Sequence, residues 1–463
     1  SPAVSDTIAA VATPPGRGAI AIVRASGPAA RFIANRVFSS RRKLRERVAT
    51  TGQVLDASGA RIDQGLALLF LAPRSVTGED VLELHVHGSP AVSREVLTSV
   101  LAAGARLAGP GEFTRRAFLA GKMDLSAAEA VADLIEAEHR SAARAAAARL
   151  SGGLAKTVER LRSQLSAVLE ELAASIDFPD EVPSPDPPTL EQRLHAVMQE
   201  LDALARSREH GRLVREGVGV ALVGAPNAGK SSLLNALLGS ERALVSELAG
   251  TTRDTLEETL SLGDVVARVI DTAGIRHVSD GASVVEPPSH ALLEAAGIAR
   301  ARAALEQARI ALVVVDASVP LSRDADAIIA ETRGRERVLF YNKADLGRIA
   351  YDARAESERD ACLGSVFCDE DVADVKERLR SIAVGSETID LARPMLAAGW
   401  QLDAVLEGRR GVSRALDTLR AGAPVDLTSG DLTTAFQALG MLSGRDASEA
   451  LLDSIFSRFC IGK

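Results

Sequence analysis

Aromatic residues are scarce: one Trp, two Tyr and 11 Phe make up only 3% of 463 residues. That scarcity argues against a carbohydrate groove and against a stacking platform for single-stranded nucleic acid. Three cysteines, Cys362, Cys368 and Cys460, are too few to staple a chain of this length, and no Cys-x-x-Cys pair occurs. A reducing, cytoplasmic setting is therefore expected. No apolar run approaches about 18 residues without a charge, so neither a transmembrane helix nor a membrane partner is expected. The first residues, SPAVSDTIAAVATPPGRG, lack a basic stretch followed by an apolar one and do not read as a secretory signal. Neither sign of charge dominates, since 54 Lys+Arg against 62 Asp+Glu leave a formal net charge of −8. Any nucleic-acid partner must be held by a local basic face, not by the field of the whole molecule. What the chain does have is apolar residues, 46% of the total beside 25% charged. That balance supports packed cores, and about 100–200 residues per domain suggests roughly three domains.

The texture changes along the chain. Ala19–Val23, Leu66–Leu71 and Val81–Val86 are short β-type runs bounded by turn residues, with a helix-like piece at Ala29–Phe38. Residues 1–120 read as a mixed α/β domain. Ser126-x-x-Glu129 has the form of a capping box opening a long Ala/Leu/Glu/Arg-rich stretch, in which Leu161, Leu165, Val168, Leu169 and Leu172 form a stripe. The prolines of Phe178–Pro188 stop it, and Thr189-x-x-Gln192 opens a second helix. Residues 121–211 are thus expected to hold two long antiparallel helices. In 212–383 the runs VGVALVG, VVARVID, IALVVVD and VLFYNKAD end at Gly or Asp and alternate with helical segments, the pattern of a doubly wound parallel sheet. Helical periodicity returns over 384–463, so the α/β unit is expected to be inserted into a discontinuous helical domain.

Gly224-Ala225-Pro226-Asn227-Ala228-Gly229-Lys230-Ser231 matches G-x-x-x-x-G-K-[ST] between a strand and a helix. In such a loop the glycines let backbone N–H groups approach phosphate oxygens, Lys230 supplies a point charge and Ser231 a hydroxyl for Mg²⁺. Asp271-Thr272-Ala273-Gly274 ends the next strand, where a carboxylate orients Mg²⁺ through water and the Gly274 N–H senses a γ-phosphate. Asn342-Lys343-Ala344-Asp345 ends another, and its Asp345 carboxylate accepts from N1–H and the exocyclic amine of guanine together. Adenine lacks both donors, so the expected nucleotide is GTP. Gly250-Thr251-Thr252-Arg253-Asp254 supplies a switch threonine, Thr252, for Mg²⁺. Where Ras-like enzymes carry a water-orienting Gln after D-x-x-G, this chain has Ile275, which forms no hydrogen bond through its side chain. Another group must orient the water and another cation must stabilise the transition state.

G-x-x-N-x-G-K-S-S with GTTRD and DTAGIR resembles the translation-factor class of bacterial GTPases. DTIAAVATPPGRGAIAIVRASGP, TGEDVLELHVHGSP, GEFTRRAFLAGKMDLSAAEAVADLI and the terminal FCIGK narrow this, and together resemble the MnmE (TrmE) family of tRNA-modification GTPases over nearly the whole chain. The resemblance implies a K⁺-stimulated GTP hydrolase working with an FAD-containing MnmG-like partner. Together they install a carboxymethylaminomethyl or aminomethyl group at C5 of the wobble uridine of certain tRNAs. The one-carbon unit comes from a tetrahydrofolate, as its 5-formyl or methylene derivative. A homodimer formed through the N-terminal domain is implied, as is a heterotetramer with the partner.

Carried across by position, the resemblance implies GTP contacts from Asn227, Ala228, Gly229, Lys230, Ser231 and Ser232 in the phosphate loop. Ser246, Glu247, Leu248, Ala249, Gly250, Thr251 and Thr252 follow in the switch, then Asp271, Thr272, Ala273 and Gly274, and finally Asn342, Lys343, Ala344 and Asp345. It implies K⁺ ligands at Asn227, Ser246, Leu248 and Thr251, and makes Glu294, before Gly297-Ile298, the water-orienting carboxylate that answers Ile275. Catalysis then falls to Glu294 and Lys230. Folate contacts are implied at Arg24, Glu83, Lys122 and Lys463, with Cys460 a candidate to face the one-carbon unit. The chain departs from the family in a longer Arg276–Ser289 segment and in an unrecognisable guanine-bracketing loop around Ser365–Cys368. Val76 stands where an aromatic is common, and Ala19 where a Gly is.

Weaker signals are weighed against simpler roles. His85-x-His87 resembles a metal pair without a third ligand at suitable spacing, and a structural role is favoured. Gly408-Arg409-Arg410-Gly411 fits a KH-type GxxG but lies in helical surroundings and is expected to break the helix. Arg115-Arg116 and Arg409-Arg410 are candidate phosphate contacts, with a solvated face the simpler reading. The alternative function is a ribosome-assembly or RNA-binding GTPase switch without covalent chemistry, which requires an RNA-binding module after the nucleotide domain. A folate-binding regulator with a vestigial nucleotide domain conflicts with the intact Lys230, Ser231 and Asp271.

Overall fold

A computed structural model describes residues 6–137, 139–239, 257–271, 302–354, 360–385, 389–391 and 393–462. The chain divides into two units, one of Ser1–Glu136, Ala146–Ala203 and Trp400–Lys463, the other of Ala137–Ala145 and Leu204–Gly399.

The first unit begins with alternation. Along β2 (Ile20–Ser26), Ala21, Val23 and Ala25 are buried while Ile20, Ile22 and Arg24 face the other way. The sheet adds β1 (Ile8–Val11), β3 (Phe38–Ser39), β4 (Thr50–Leu55), β5 (Arg61–Phe70), β6 (Val81–His87) and β7 (Arg106–Leu107) in the order β3-β4-β5-β6-β2-β1-β7. Helices Ala30–Val37 and Pro90–Ala102 put Ile33, Val37, Val96 and Val100 into one core with Val23, Val54 and Leu84. Phe113, from helix Glu112–Leu119, packs with Ile8 and Ala10. The same helix buries Arg116, which pairs with Asp6, Glu112 and Glu79 at 2.8, 3.0 and 3.1 Å. Arg115 pairs with Asp453 at 2.9 Å. Arg116 is therefore structural and withdrawn from any phosphate.

The stretch expected to open at a capping box is three helices, Leu125–Glu136, Arg140–Leu150 and Gly153–Asp177. The box does not form. Asp124 caps instead, its Oδ1 accepting from the Ala127 amide at 2.9 Å, and Ser126 is already helical and buried. Glu129 accepts from Trp400 Nε1 at 3.2 Å and Gln401 Nε2 at 3.1 Å. Likewise Asp186, not Thr189, caps helix Pro187–Glu216. The two long helices run antiparallel, as the pairs Arg160–Glu200 and Arg193–Glu171 show. Leu161, Leu165, Val168 and Leu172 are buried as their spacing requires.

Helix Gly399–Arg420 passes unbroken through the GxxG segment. Gly411 is there for proximity, since a Cβ would meet the Asp431 carbonyl of helix Val425–Ser443 at 2.8 Å. Small residues let two helices approach, and the expected helix break does not occur. Arg409 and Arg410 pair with Asp202 and Glu407. Arg162 of the earlier segment lies 4.1 Å from the Phe436 ring centroid, so segments from both ends of the chain share one bundle.

In the second unit, β8 (Val218–Gly224), β9 (Glu257–Ser261), β10 (Val266–Asp271), β11 (Ile310–Asp316), β12 (Glu336–Asn342) and β13 (Ala361–Leu363) form the order β13-β12-β11-β8-β10-β9. All neighbours are parallel except β9 and β10. Leu233 and Leu237 of helix Lys230–Leu238 and Val375 and Leu379 of helix Asp369–Val384 pack into the core on one face. Ile329 and Ala350 pack into a second cluster, with Val313 and Leu339, on the other. Burial on both faces explains strands that are nearly continuous in apolar residues.

Candidate functional site

Parallel strands bring their carboxyl ends to one edge. Asp271 is level with Leu222, Val314 with Gly224, and Asp316 with Asn342. The strand order reverses at β8, and doubly wound sheets bind ligands outside the carboxyl ends at such a reversal. The loop after β8 leads into helix Lys230–Leu238, whose first-turn N–H groups have no acceptor within the helix itself, with Ser231 and Ser232 exposed on that turn. The Lys230 ammonium lies over the loop, donating to the Gly224 and Ala225 carbonyls at 2.9 Å each. Asn227 adopts a left-handed φ of 61°.

This loop is locked to the Asn342–Asp345 motif. Gly229 has φ 99°, and a Cβ on it would lie 2.2 Å from Asn342 Nδ2. Only glycine leaves room for that amide, which donates to the Ala228 carbonyl at 3.0 Å. Asn342, 1% exposed, also accepts from the Val366 amide at 3.2 Å. One side chain thus joins the phosphate loop to the Ser365–Cys368 segment. Lys343 Nζ donates to the Asn227 carbonyl at 2.9 Å and pairs with Asp316 at 2.6 Å. Burial pushes the Asp316 carboxyl up, but Lys343 and the Ser318 donors outweigh it and hold it below the ordinary range. The Ala344 amide donates to the Gly364 carbonyl at 3.1 Å, and Asp345 is exposed.

Two contributions escaped the sequence. Asp316 looked only like the end of an apolar strand; its register with Asn342 places it beside Lys343. Asp371 accepts from the Ser365 amide at 2.8 Å, and a Cβ on Gly364 would lie 2.6 Å from the Asp371 Cβ. That contact shapes a loop with no familiar motif, and Phe367 stands 88% exposed on it. The backbone of Asp271 is described at the end of β10, but not its side chain. Ser246, Glu247, Leu248, Ala249, Gly250, Thr251, Thr252, Thr272, Ala273, Gly274, Ile275, Arg276–Ser289, Glu294 and Lys463 lie outside the described residues.

In the first unit the sheet brings together two of the candidate folate residues. Arg24 pairs with Glu83 at 2.8 Å, and its guanidinium lies 5.8 Å from the Phe113 ring centroid. Lys122 engages the Pro73 carbonyl. His85 contacts Glu83 at 3.3 Å and His87 contacts Asp63 at 2.8 Å. Each histidine has its own carboxylate, and no cluster of three metal-ligating side chains occurs among the described residues. Cys460 is exposed, while the next residue, Ile461, bridges to Pro110. A cavity of about 660 Å³ is lined by Thr13, Arg17, Ile20, Arg94 and Ile461, among others, but not by Arg24, Glu83 or Lys122.

A doubly wound sheet with a glycine-dependent phosphate loop, locked to an Asn-Lys-x-Asp motif at one strand edge, defines the class of guanine-nucleotide-binding P-loop proteins. The family model described as GTP-binding protein TrmE N-terminus matches residues 7–122, and that for the MnmE helical domain matches residues 125–460. A tRNA modification GTPase MnmE of Roseiflexus sp. (strain RS-1) is 43% identical over 99% of each chain. That of Heliobacterium modesticaldum is 40% identical over 99% of this chain and 100% of its own. That of Azoarcus sp. (strain BH72) is 42% identical over 100% and 99%. The chain belongs to the MnmE family of tRNA modification GTPases. Among the described residues no helix is long and apolar enough to cross a membrane.

Proposed function

We propose that this chain is a GTP hydrolase that serves modification of the wobble uridine of tRNA. The observation that carries the reading is the Asn342 bridge, which couples phosphate binding to guanine recognition in one rigid unit. The residues present suit a triphosphate: the Lys230 ammonium sits at the mouth of the loop, and Ser231 and Ser232 are exposed on the first turn that follows it.

In the finer reading the first-turn N–H groups and Lys230 hold the β- and γ-phosphates, and Asp345 selects guanine. Mg²⁺, held by Ser231 and Thr252, and K⁺, held by Asn227, Ser246, Leu248 and Thr251, neutralise phosphate charge when bound. Glu294 orients the attacking water, since Ile275 has no polar group to do so. The division into 1–120 for folate binding and dimerisation, 121–211 and 384–463 for the helical domain, and 212–383 for the nucleotide domain belongs to this proposal. So do an FAD-containing MnmG partner, a heterotetramer with it, a cytoplasmic setting, and a tetrahydrofolate site at Arg24, Glu83, Lys122 and Lys463. The ion pair between Arg24 and Glu83 supports that site by bringing two of its members within 2.8 Å. The rival RNA-switch reading requires an RNA-binding module after the nucleotide domain, where helices Gly399–Arg420, Val425–Ser443 and Glu449–Phe456 stand instead.

Wobble-uridine modification in cells lacking this chain tests the reading: hypomodified tRNA restored by the chain is expected, and full modification without it refutes it. GTP turnover should rise when K⁺ replaces Na⁺. Glu294→Ala should cut turnover about 100-fold or more with GTP affinity nearly constant, as for removal of one transition-state contact.

A further inference from the structure

Between β3 and β4, Arg41, Arg42, Lys43, Arg45 and Arg47 place five cations in seven residues of a chain whose net charge is −8. All five are exposed, whereas Leu44 between them packs partly buried against the sheet core. That anchor turns the apolar side of the loop inward and leaves the cations outward. Among the described residues Arg41, Arg42, Lys43 and Arg45 make no ion pair. The single acid of the run, Glu46, is shared by Arg74 at 3.0 Å and Arg47 at 3.7 Å. Arg47 donates to the Arg74 carbonyl at 2.5 Å, and Lys122 engages the adjacent Pro73 carbonyl. The cationic strip therefore continues from the sheet edge along Pro73–Arg74 to Lys122. Helix Ala30–Val37, which leads into β3, exposes Phe32 with Arg36 5.9 Å from its ring centroid.

We propose that the Ser40–Val48 loop is an RNA-binding edge that takes the phosphate backbone of tRNA. The proposal rests on tRNA being the substrate and adds where it is gripped. Arginine predominates, and its planar fork pairs with two phosphate oxygens where an ammonium offers a point charge. An anionic membrane is the poorer fit, because surface binding also needs a continuous apolar face, whereas Leu44 is turned in and Phe32 and Val48 are exposed only as single apolar residues. Unlike the field of the whole protein, which repels RNA, this edge concentrates positive charge at one place.

The test compares the full chain with R41A/R42A/K43A/R45A, measuring affinity for an unmodified tRNA transcript across KCl concentrations. Four lost phosphate contacts, at about 0.7–0.9 each, should lower the slope of log affinity against log salt by about 3. Between about 50 and 200 mM salt the wild type should then lose about 50- to 150-fold more affinity than the variant. R41K/R42K/R45K should keep most of the slope, and GTP turnover without tRNA should be unchanged in both. Alanine at the exposed Arg140, Arg144, Lys156 and Arg323, an equal change of net charge, should leave the slope alone. Coincident slopes for wild type and R41A/R42A/K43A/R45A overturn the proposal, as does an equal fall in the Arg140 set. Binding to phosphatidylserine vesicles that needs these cations, without tRNA binding, overturns it in favour of a membrane surface. The complementation assay for wobble modification judges the underlying reading separately: a chain that restores modification with unchanged slopes loses only this edge.

Discussion

Replacing Asn342 with alanine separates two roles that one side chain combines. The amide is 1% exposed, donates to the Ala228 carbonyl at 3.0 Å and accepts from the Val366 amide at 3.2 Å. Truncation deprives two groups of that partner, each at a cost of about 1–3 kcal/mol, and water entering the small polar gap keeps the cost near the lower end. The expected loss is about 3 kcal/mol, even with no nucleotide bound. With a urea slope of about 2–3 kcal/mol/M, the midpoint should fall by about 1–1.5 M. The two units need separate probes, since one transition does not describe two units. Trp400, the only tryptophan, belongs to the first unit, and both tyrosines, Tyr341 and Tyr351, belong to the second. In EDTA-treated protein, tyrosine near-ultraviolet circular dichroism should report the shifted transition while indole emission stays put. GDP affinity should fall as well. A tyrosine midpoint within about 0.2 M of wild type, alongside collapsed GDP affinity, would refute the bridging role and leave Asn342 as a ligand contact alone.

Other perturbations reach other parts of the molecule. Asp345→Asn should move preference from GTP toward xanthosine triphosphate, on the order of 10⁴-fold for a lost paired recognition, measured as the ratio of kcat/KM values. Burial pushes the Glu112 carboxyl up, but Arg106, the Gly109 amide and Arg116 outweigh it and set it at about 2 instead of 4.5. A lowered folded-state value means stabilisation that is complete above about pH 4.5 and lost as pH falls toward 2. Allowing for screening, about 2 kcal/mol is at stake. Glu112→Gln should flatten the acid side of the urea-midpoint profile, followed by Trp400 emission between pH 6 and 3; identical profiles would deny Glu112 that role. Gly411→Ala puts a methyl about 2.8 Å from the Asp431 carbonyl and should destabilise the first unit by about 2 kcal/mol, with a lower tryptophan midpoint as the readout.

Legibility followed the range of the interactions. Three strands of the first sheet, four of the second and the long helical stripes were readable, because apolar residues recur with a period of 2 or 3.6 along the chain or run nearly unbroken where both faces of a strand are buried. Gly224–Ser231 and Asn342–Asp345 were readable because backbone geometry and base chemistry restrict which residues work there. Local helix starts misled: Ser126 and Thr189 have the right spacing for caps, but Asp124 and Asp186 hold a carboxylate one turn from the first free amides. The GxxG glycines looked like a break because the helix that approaches them lies some twenty residues further on.

Strand order placed Asp316 beside Lys343, and the helix carrying Asp371 shaped the Ser365–Cys368 loop; neither relation has a spacing that a linear reading can recognise. Arg116 and Arg41 each belong to a pair of adjacent arginines. One is buried among three carboxylates and the other stands free at a sheet edge, because packing, not composition, determines which charges meet a partner. The amino-acid order by itself determined the glycine-rich turn after β8, the Asn-Lys-x-Asp turn after β12 and the class of each segment, since those depend on neighbours within a few residues. Which charges are neutralised, which glycines admit another backbone and how the phosphate loop is tied to the base motif were decided by tertiary structure, because those energies arise only when distant segments share a boundary.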